Sequence, residues 1–380
     1  MKLKILKSYL NESIQHVSKA ISSRTTIPIL SGIKLDASPN GLTLTASDTD
    51  ISIQSFIPAE TDGKQIIQLS EKGSIVLPAK FFVEIIRKLP AEDVEIEVRP
   101  PFQATLRSGT SEIQMVGLDP EEYPHLPKVE ERKVISIASD LLKTMIRQTS
   151  FAVSTSETTP ILTGVLWTLT NNELKLVSCD RHRLAQRETP METVGEQQFG
   201  NIVISGKTLN ELNKILPDQN TLVDIVVSDN QVLFKLDNLL FYSRILDGTY
   251  PDTSKLIPQN FQTELVLNTK QLVDSIDRAY LLSREDKTNI VKLVMQDQGS
   301  VEISSSSTEL GKVTETIPVS RVSGDLLRIS FNSKYMLDAL KVIDSEQIHL
   351  GFTGSMSPII IQPEGDTKIL QLILPYRTTN

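Results

Sequence analysis

An eighteen-residue stretch returns twice in this chain at a fixed interval, and that recurrence constrains the fold more than any other feature. Gly73 to Pro90 reappears as Gly200 to Pro217 and, more divergently, as Leu327 to Asp344. The register lysine falls at Lys80, Lys207 and Lys334, 127 residues apart each time, so three copies fill the 380 residues. Each copy begins with alternating apolar residues and shifts to a spacing of three to four, the pattern of a strand running into a short amphipathic helix.

Further blocks keep the same order. Ile27 to Gly32 matches Thr159 to Gly164, and Leu42 to Asp48 matches Leu174 to Asp180 and Val301 to Ser307. All read as period-2 strands with one buried face. Before them come three longer helical patterns: 7–24 with a stripe of Leu10, Ile14, Val17 and Ile21; 139–154 with Leu142, Ile146 and Val153; and 268–286 with Leu272, Ile276 and Leu281. Tyr123-Pro124 and Tyr250-Pro251 close the first two copies, which predicts domains at 1–127, 128–254 and 255–380. Each domain is expected to run helix, strands, helix, strands, an α+β unit.

The lone cysteine, Cys179, excludes an internal disulfide framework and Cys-rich zinc modules, and fits a reducing compartment. Four scattered histidines, His16, His125, His182 and His349, form no metal-ligand spacing. The N-terminus lacks the apolar core of a secretion signal, and no apolar run is long enough to span a bilayer, so a cytoplasmic protein is expected.

The net charge is -8, from 39 Lys and Arg against 47 Asp and Glu, but it is unevenly placed. Over the six helical spans we count 15 basic and 10 acidic residues, so the helices carry +5 and the remainder -13. Basic helices on an acidic protein suit a polyanion bound without sequence reading. If the strands pair across repeat boundaries with all helices on one face, helices spaced by about 9 Å can be placed on a circle. Six leave an opening of roughly 7 Å, twelve about 24 Å and eighteen roughly 40 Å. Twelve helices, from two chains, are the best fit to a DNA duplex.

Two motifs invite an enzymatic reading. Gly200 to Thr208 looks like a phosphate-binding loop, but five residues separate its glycines and Ile202 to Ile204 reads as a strand. Asp180-Arg181-His182-Arg183 offers an Asp/His pair without a nearby nucleophile, and more often such a cluster is a satisfied polar strand end. A hydrolase using Asp180, His182 and the Gly206-Lys207-Thr208 turn is therefore the alternative. A sequence-specific DNA reader is disfavoured by the net charge and by the absence of a helix-turn-helix pattern.

Four segments, Ser23 to Gly32, Cys179 to Ala185, Asp247 to Pro251 and Leu374 to Arg377, make the chain closely resemble, over its full length, the bacterial DNA polymerase III beta subunits, the processivity clamps. The resemblance implies three tandem clamp domains per chain, helices inside and sheets outside. It implies a head-to-tail homodimeric ring around double-stranded DNA that tethers the polymerase catalytic subunit, with no catalysis, cofactor or metal of its own. A clamp loader, and other replication and repair proteins carrying short clamp-binding motifs, are the further partners implied.

The resemblance also implies a peptide pocket between domains two and three. Its wall would be Leu162, Cys179, Arg181, His182, Arg183, Leu184, Pro251, Lys255, Leu256, Leu372, Ile373, Leu374, Pro375, Tyr376 and Arg377. Apolar members would bury the partner's anchors, and Arg183 and Arg377 would hold its polar groups. Three positions depart from the commonest pattern: Arg181 stands for Gly, Lys255 for Arg and Tyr376 for Met. Ile113 and Met115 are implied to meet Leu281 and Leu282 of a second copy. Expected DNA contacts are Arg24, Lys80, Arg147, Lys207 and Lys334.

Overall fold

The computed structural model describes all residues except 23–24, 127–128, 130–133, 192–198, 286–288, 297–298 and 378–380. Six α-helices occur among the described residues: α1 Lys7–Val17, α2 Ala79–Lys88, α3 Ser139–Thr149, α4 Gly206–Ile215, α5 Thr269–Ser283 and α6 Ser333–Leu340. They match the six expected spans, but each repeat opens one element earlier than expected. The strands Lys2–Leu6, Val134–Ala138 and Thr263–Asn268 lead directly into α1, α3 and α5. Asn268 caps α5, its side chain accepting from the Gln271 N–H at 3.0 Å, and Asn332 caps α6 through the Lys334 and Tyr335 N–H groups.

Helical periodicity accounts for the buried stripes. Leu10, Ile14 and Val17 of α1 and Leu142 and Ile146 of α3 are wholly buried. In α5 the buried face runs Leu272, Ile276, Ala279, Ser283, so Leu281, expected on that stripe, stands exposed instead. The Pro-Ile-Leu blocks also depart from expectation. Pro28–Ser31 and Pro160–Thr163 are short 3-10 turns, because proline at the first position fixes φ and gives up an N–H that such a turn does not need.

The strands pair antiparallel and cross repeat boundaries. One eight-stranded sheet joins strands of the first and second repeats where Leu239–Arg244 pairs with Ile51–Pro58. A nine-stranded sheet joins the second and third where Arg183–Pro190 pairs with Ile369–Ile373. We refer to these pairings as the first and second seams. Three further sheets among the described residues remain within single repeats, the smallest being the two-stranded pairing of Glu60–Thr61 with Lys64–Gln65. Of the other two, one has five strands, with Ser111–Val116 at an edge; the other has four, with Gly311–Pro318 at an edge.

By contact density the chain divides into two compact units, Met1–Asp140 with Lys214–Ile245, and Leu141–Asn213 with Leu246–Asn380. The middle repeat is shared between them because its two sheets are each continuous with a neighbour's. The first seam thus lies wholly in the first unit and the second seam in the second. No described helix is long and apolar enough to cross a membrane.

Candidate functional site

The second seam sets Leu184 opposite Leu372 and Arg183 opposite Ile373. Alternation along the strands divides these side chains between two faces. Leu184, Leu370 and Leu372 join Leu162, Val177, Cys179 and Ile360 in an apolar cluster bordered by half-buried Ile161, Tyr250, Ile257 and Phe261. Ile373 belongs to the other face and packs into the core of the third repeat. Its predicted place in the pocket wall is corrected on that ground.

A tight turn leads into the seam. Asp180 Oδ1 accepts the backbone N–H groups of His182 and Arg183, both at 3.0 Å, and Asp180 N–H donates to the Arg183 carbonyl at 3.2 Å. The turn forces Arg181 to φ 75°, a left-handed conformation that costs a residue with a Cβ about 1–2 kcal/mol. A glycine, the residue the resemblance leads one to expect here, would carry no such penalty. Arg181 uses its exposed side chain to donate to Thr159 Oγ1 at 2.6 Å. Behind the turn, the Tyr250 hydroxyl accepts the Cys179 N–H at 3.0 Å. Burial raises the pKa of both the phenol and the Cys179 thiol, which keeps these two members of the apolar cluster uncharged.

Arg183 is largely buried, and each of its three nitrogens is engaged: Nε with Asp180 at 2.9 Å, Nη1 with Asp338 at 2.7 Å and Nη2 with the Phe151 carbonyl at 2.8 Å. Its guanidinium also lies 4.5 Å from the Tyr335 ring centroid and 5.4 Å from that of Phe151. The expectation that Arg183 holds a partner's polar groups is revised accordingly. It braces the wall from within.

Around the mouth, His182, Pro251, Lys255, Leu256, Leu374, Tyr376 and Arg377 are exposed and Pro375 is half-buried. The His182 ring stacks on Tyr335 at 6.2 Å with 22° between planes. Lys255 lies 3.8 Å from Asp252, a solvent-exposed pair of small energetic weight. The tail is fastened at two points, Leu374 N–H to the His182 carbonyl at 2.8 Å and Tyr376 N–H to the Ser330 carbonyl at 2.7 Å. Its exposed Leu374 and Tyr376 are held in place by the backbone.

Sequence reasoning missed Phe151, Tyr335, Asp338, Ile360 and Leu370. The first three are distant in sequence and meet Arg183 only through the fold. Leu370 carried a legible signal, its period-2 relation to Leu372 and Leu374, and Tyr250 stood in a segment read as a repeat closure and as part of the resemblance, without a place in the site.

The hydrolase constellation does not assemble. Asp180 is consumed by the turn and by Arg183, and His182 stacks on a tyrosine. Phe199–Ser205 is a strand that passes straight into α4, so no glycine-rich loop precedes Lys207. Among the described residues no three His, Cys, Asp or Glu side chains cluster as metal ligands would.

Of the expected DNA contacts, Lys80, Lys207 and Lys334 are exposed, each the second residue of its helix. Arg147 is in an ion pair with Asp344, and Arg24 lies outside the described residues. On the edge strand Ser111–Val116, Met115 is buried, whereas Ile113 is half-buried and lines an apolar groove of about 450 Å³ with Phe81, Ile85 and Leu89. Leu281 is 48% exposed and Leu282 is half-buried.

Three family models of the DNA polymerase III beta subunit match the chain: the N-terminal domain at 1–127, the central domain at 136–252 and the C-terminal domain at 254–377. A beta sliding clamp of Bacillus subtilis is 54% identical over 378 residues, and one of Staphylococcus aureus is 48% identical over 378 residues, each covering 100% of both chains. The crystal structure of the sliding clamp from Bacillus subtilis superposes with a TM-score of 0.97 at 54% identity, with full coverage of both chains. A Pseudomonas aeruginosa sliding clamp bound to griselimycin superposes at 0.92 and 25% identity, again over 100% of each chain.

Proposed function

The chain belongs to the DNA polymerase III beta subunit family, the beta sliding clamps, and from that membership we propose how its own surfaces carry out the work of a clamp. A sliding clamp is a processivity factor without chemistry of its own: it keeps the polymerase at the DNA by a topological link. That link raises the polymerase's effective concentration at the primer end without requiring tight contact to any sequence.

In our reading the chain is organised as domains 1–127, 128–254 and 255–380, and two copies close head to tail around duplex DNA in the cytoplasm. Lys80, Lys207 and Lys334 recur at one position of the repeat and meet phosphates, with Arg24 alongside. Arg147 joins them only by exchanging Asp344 for phosphate. Leu281 and Leu282 of one copy enter the groove of Ile113, Ile85 and Phe81 on the other, where burying two leucines contributes about 3–5 kcal/mol per interface. Met115 lies on the same face of the strand as Ile113, two residues along.

The apolar pocket at the second seam receives short motifs of the polymerase, the clamp loader and other replication and repair proteins. The observation that carries this reading is the apolar cluster at the seam together with the exposed apolar residues beside it. Leu162, Leu184, Leu370 and Leu372 provide an apolar floor, while Leu374, Tyr376 and Leu256 leave apolar surface open at its mouth. Arg377, with no ion pair to bind it among the described residues, keeps the polar role that the resemblance gave to it and Arg183 together.

Topology is the decisive test. The protein is loaded by a matching clamp loader onto nicked circular plasmid, the complex is isolated, and half is linearised. Loss of protein only after cutting is the expected result; retention on linear DNA would mean ordinary surface binding and would overturn encirclement.

A further inference from the structure

The two seams are built on one plan, and the first carries a cleft with different chemistry. Asp48 repeats the turn of Asp180: its Oδ1 accepts the N–H groups of Asp50 and Ile51 at 3.1 and 2.9 Å, and its own N–H donates to the Ile51 carbonyl at 3.0 Å. Thr49 sits at φ 82°, as Arg181 sits at 75°. Arg244 N–H donates to the Asp50 carbonyl at 3.0 Å, as Leu374 N–H donates to that of His182. Tyr123 stands where Tyr250 stands, its phenol likewise buried and its pKa pushed up to about 12.

On this shared frame the lining side chains are exchanged. Ser47 replaces Cys179, Ser52 replaces Leu184, and the residue opposite Ser52 is Tyr242 where Leu372 faces Leu184. Arg244 replaces Leu374, and His125 joins them in a cleft of about 180 Å³ whose base is Leu30, the counterpart of Leu162. The Ser47 and Ser52 hydroxyls bond each other at 2.7 Å. The Arg244 guanidinium has no ion-pair partner among the described residues.

We infer that the first seam is a second peptide-binding cleft, selective for an acidic side chain where the second seam selects apolar anchors. The inference rests on the peptide-pocket reading of the second seam, whose turn and tyrosine it shares. Hydroxyls at the positions of Cys179 and Leu184 penalise an apolar anchor, which would bury the hydrogen-bonding capacity they do not use on each other. Arg244, His125 and the Tyr242 hydroxyl instead supply donors for a carboxylate. Asp50 lies in the same cleft and opposes that charge, which gives the site a built-in control.

The probe is a fluorescein-labelled Gly-Glu-Asp-Glu-Gly peptide followed by anisotropy on the intact protein. It is run alone and again with a saturating unlabelled peptide carrying Leu and Phe anchors, whose own binding is measured separately. The acidic probe should bind equally in both conditions. Arg244→Gln should weaken it about fivefold and Asp50→Asn should tighten it about twofold, as expected of exposed charge pairs. Both residues are exposed, so the variants should keep the parent's thermal midpoint. Displacement of the probe by the apolar peptide, or equal affinity in parent and R244Q, would overturn the second cleft. Failure of the apolar peptide alone to bind would instead count against the pocket at the second seam.

Discussion

Replacing Arg183 by Met should cost the second unit about 3 kcal/mol, because the side chain is a brace with every nitrogen in use. Removing one partner of a buried ion pair typically costs about 3–5 kcal/mol, since the other charge stays buried and unpaired. Here Asp180, 12% exposed, keeps the His182 and Arg183 N–H groups as partners and Asp338 at 33% is partly relieved by water, so the penalty falls at the low end, about 3 kcal/mol. The orphaned Phe151 carbonyl adds about 1 kcal/mol and the lost stacking on Tyr335 about 1 kcal/mol, while the methionine's own burial returns roughly 1–2 kcal/mol. The repeat provides a precedent for the hydrocarbon, since Ile51 occupies the equivalent place in the first seam and is buried. Urea unfolding followed by the fluorescence of Trp167 isolates the effect, because this single tryptophan is fully buried in the same unit. At roughly 2–4 °C per kcal/mol for a unit of this size, the thermal midpoint should fall by about 6–12 °C. A double-mutant cycle with Asp338→Asn should show coupling of at least about 1 kcal/mol. A loss under about 1 kcal/mol with no coupling would refute the bracing role.

Leu281→Lys combined with Leu282→Lys should yield monomers in sedimentation velocity; a dimer of unchanged sedimentation would remove these leucines from the contact. Tyr250→Phe should destabilise the second unit by about 1–2 kcal/mol in the Trp167 assay, because the buried Cys179 N–H loses its acceptor. In the first unit, Arg107 and Arg99 hold the Glu97 carboxyl at about 2, below its usual 4.5. A depressed carboxylate stabilises fully above pH 4.5 and loses that contribution as pH falls through about 2. Glu97→Gln should therefore flatten the acid dependence of the circular-dichroism midpoint in that window, and an unchanged slope would assign the dependence elsewhere.

The tandem repeat, the six helices and the seam strands were legible because each rests on periodicity, and periodicity is a property of the chain itself. The strand blocks ending at Asp48 and Asp180 could be matched for the same reason, whereas Leu162, Leu184 and Leu372 were placed in the site by the family resemblance. The site's finer chemistry was less accessible. Ile373 was placed in the wall with Leu372, yet adjacent strand residues face opposite ways and only the pairing partner fixes which face meets the pocket. Leu281 fitted a helical stripe on paper, but Ala279 and Ser283 took the buried positions.

Arg183 marks the boundary most sharply. The resemblance assigns it to a partner's polar groups; the fold brings Asp338, Tyr335 and Phe151 to it and uses its charge internally. The middle repeat's division between two units has the same origin, since hydrogen bonds across a seam join strands that no local pattern pairs. What this sequence determines alone is its elements, their order and their triplication, all set by short-range spacing and backbone preference. Which faces pack together, which charges are neutralised and which side chains remain open to a partner were decided by the tertiary structure, because those depend on contacts between residues more than a hundred positions apart.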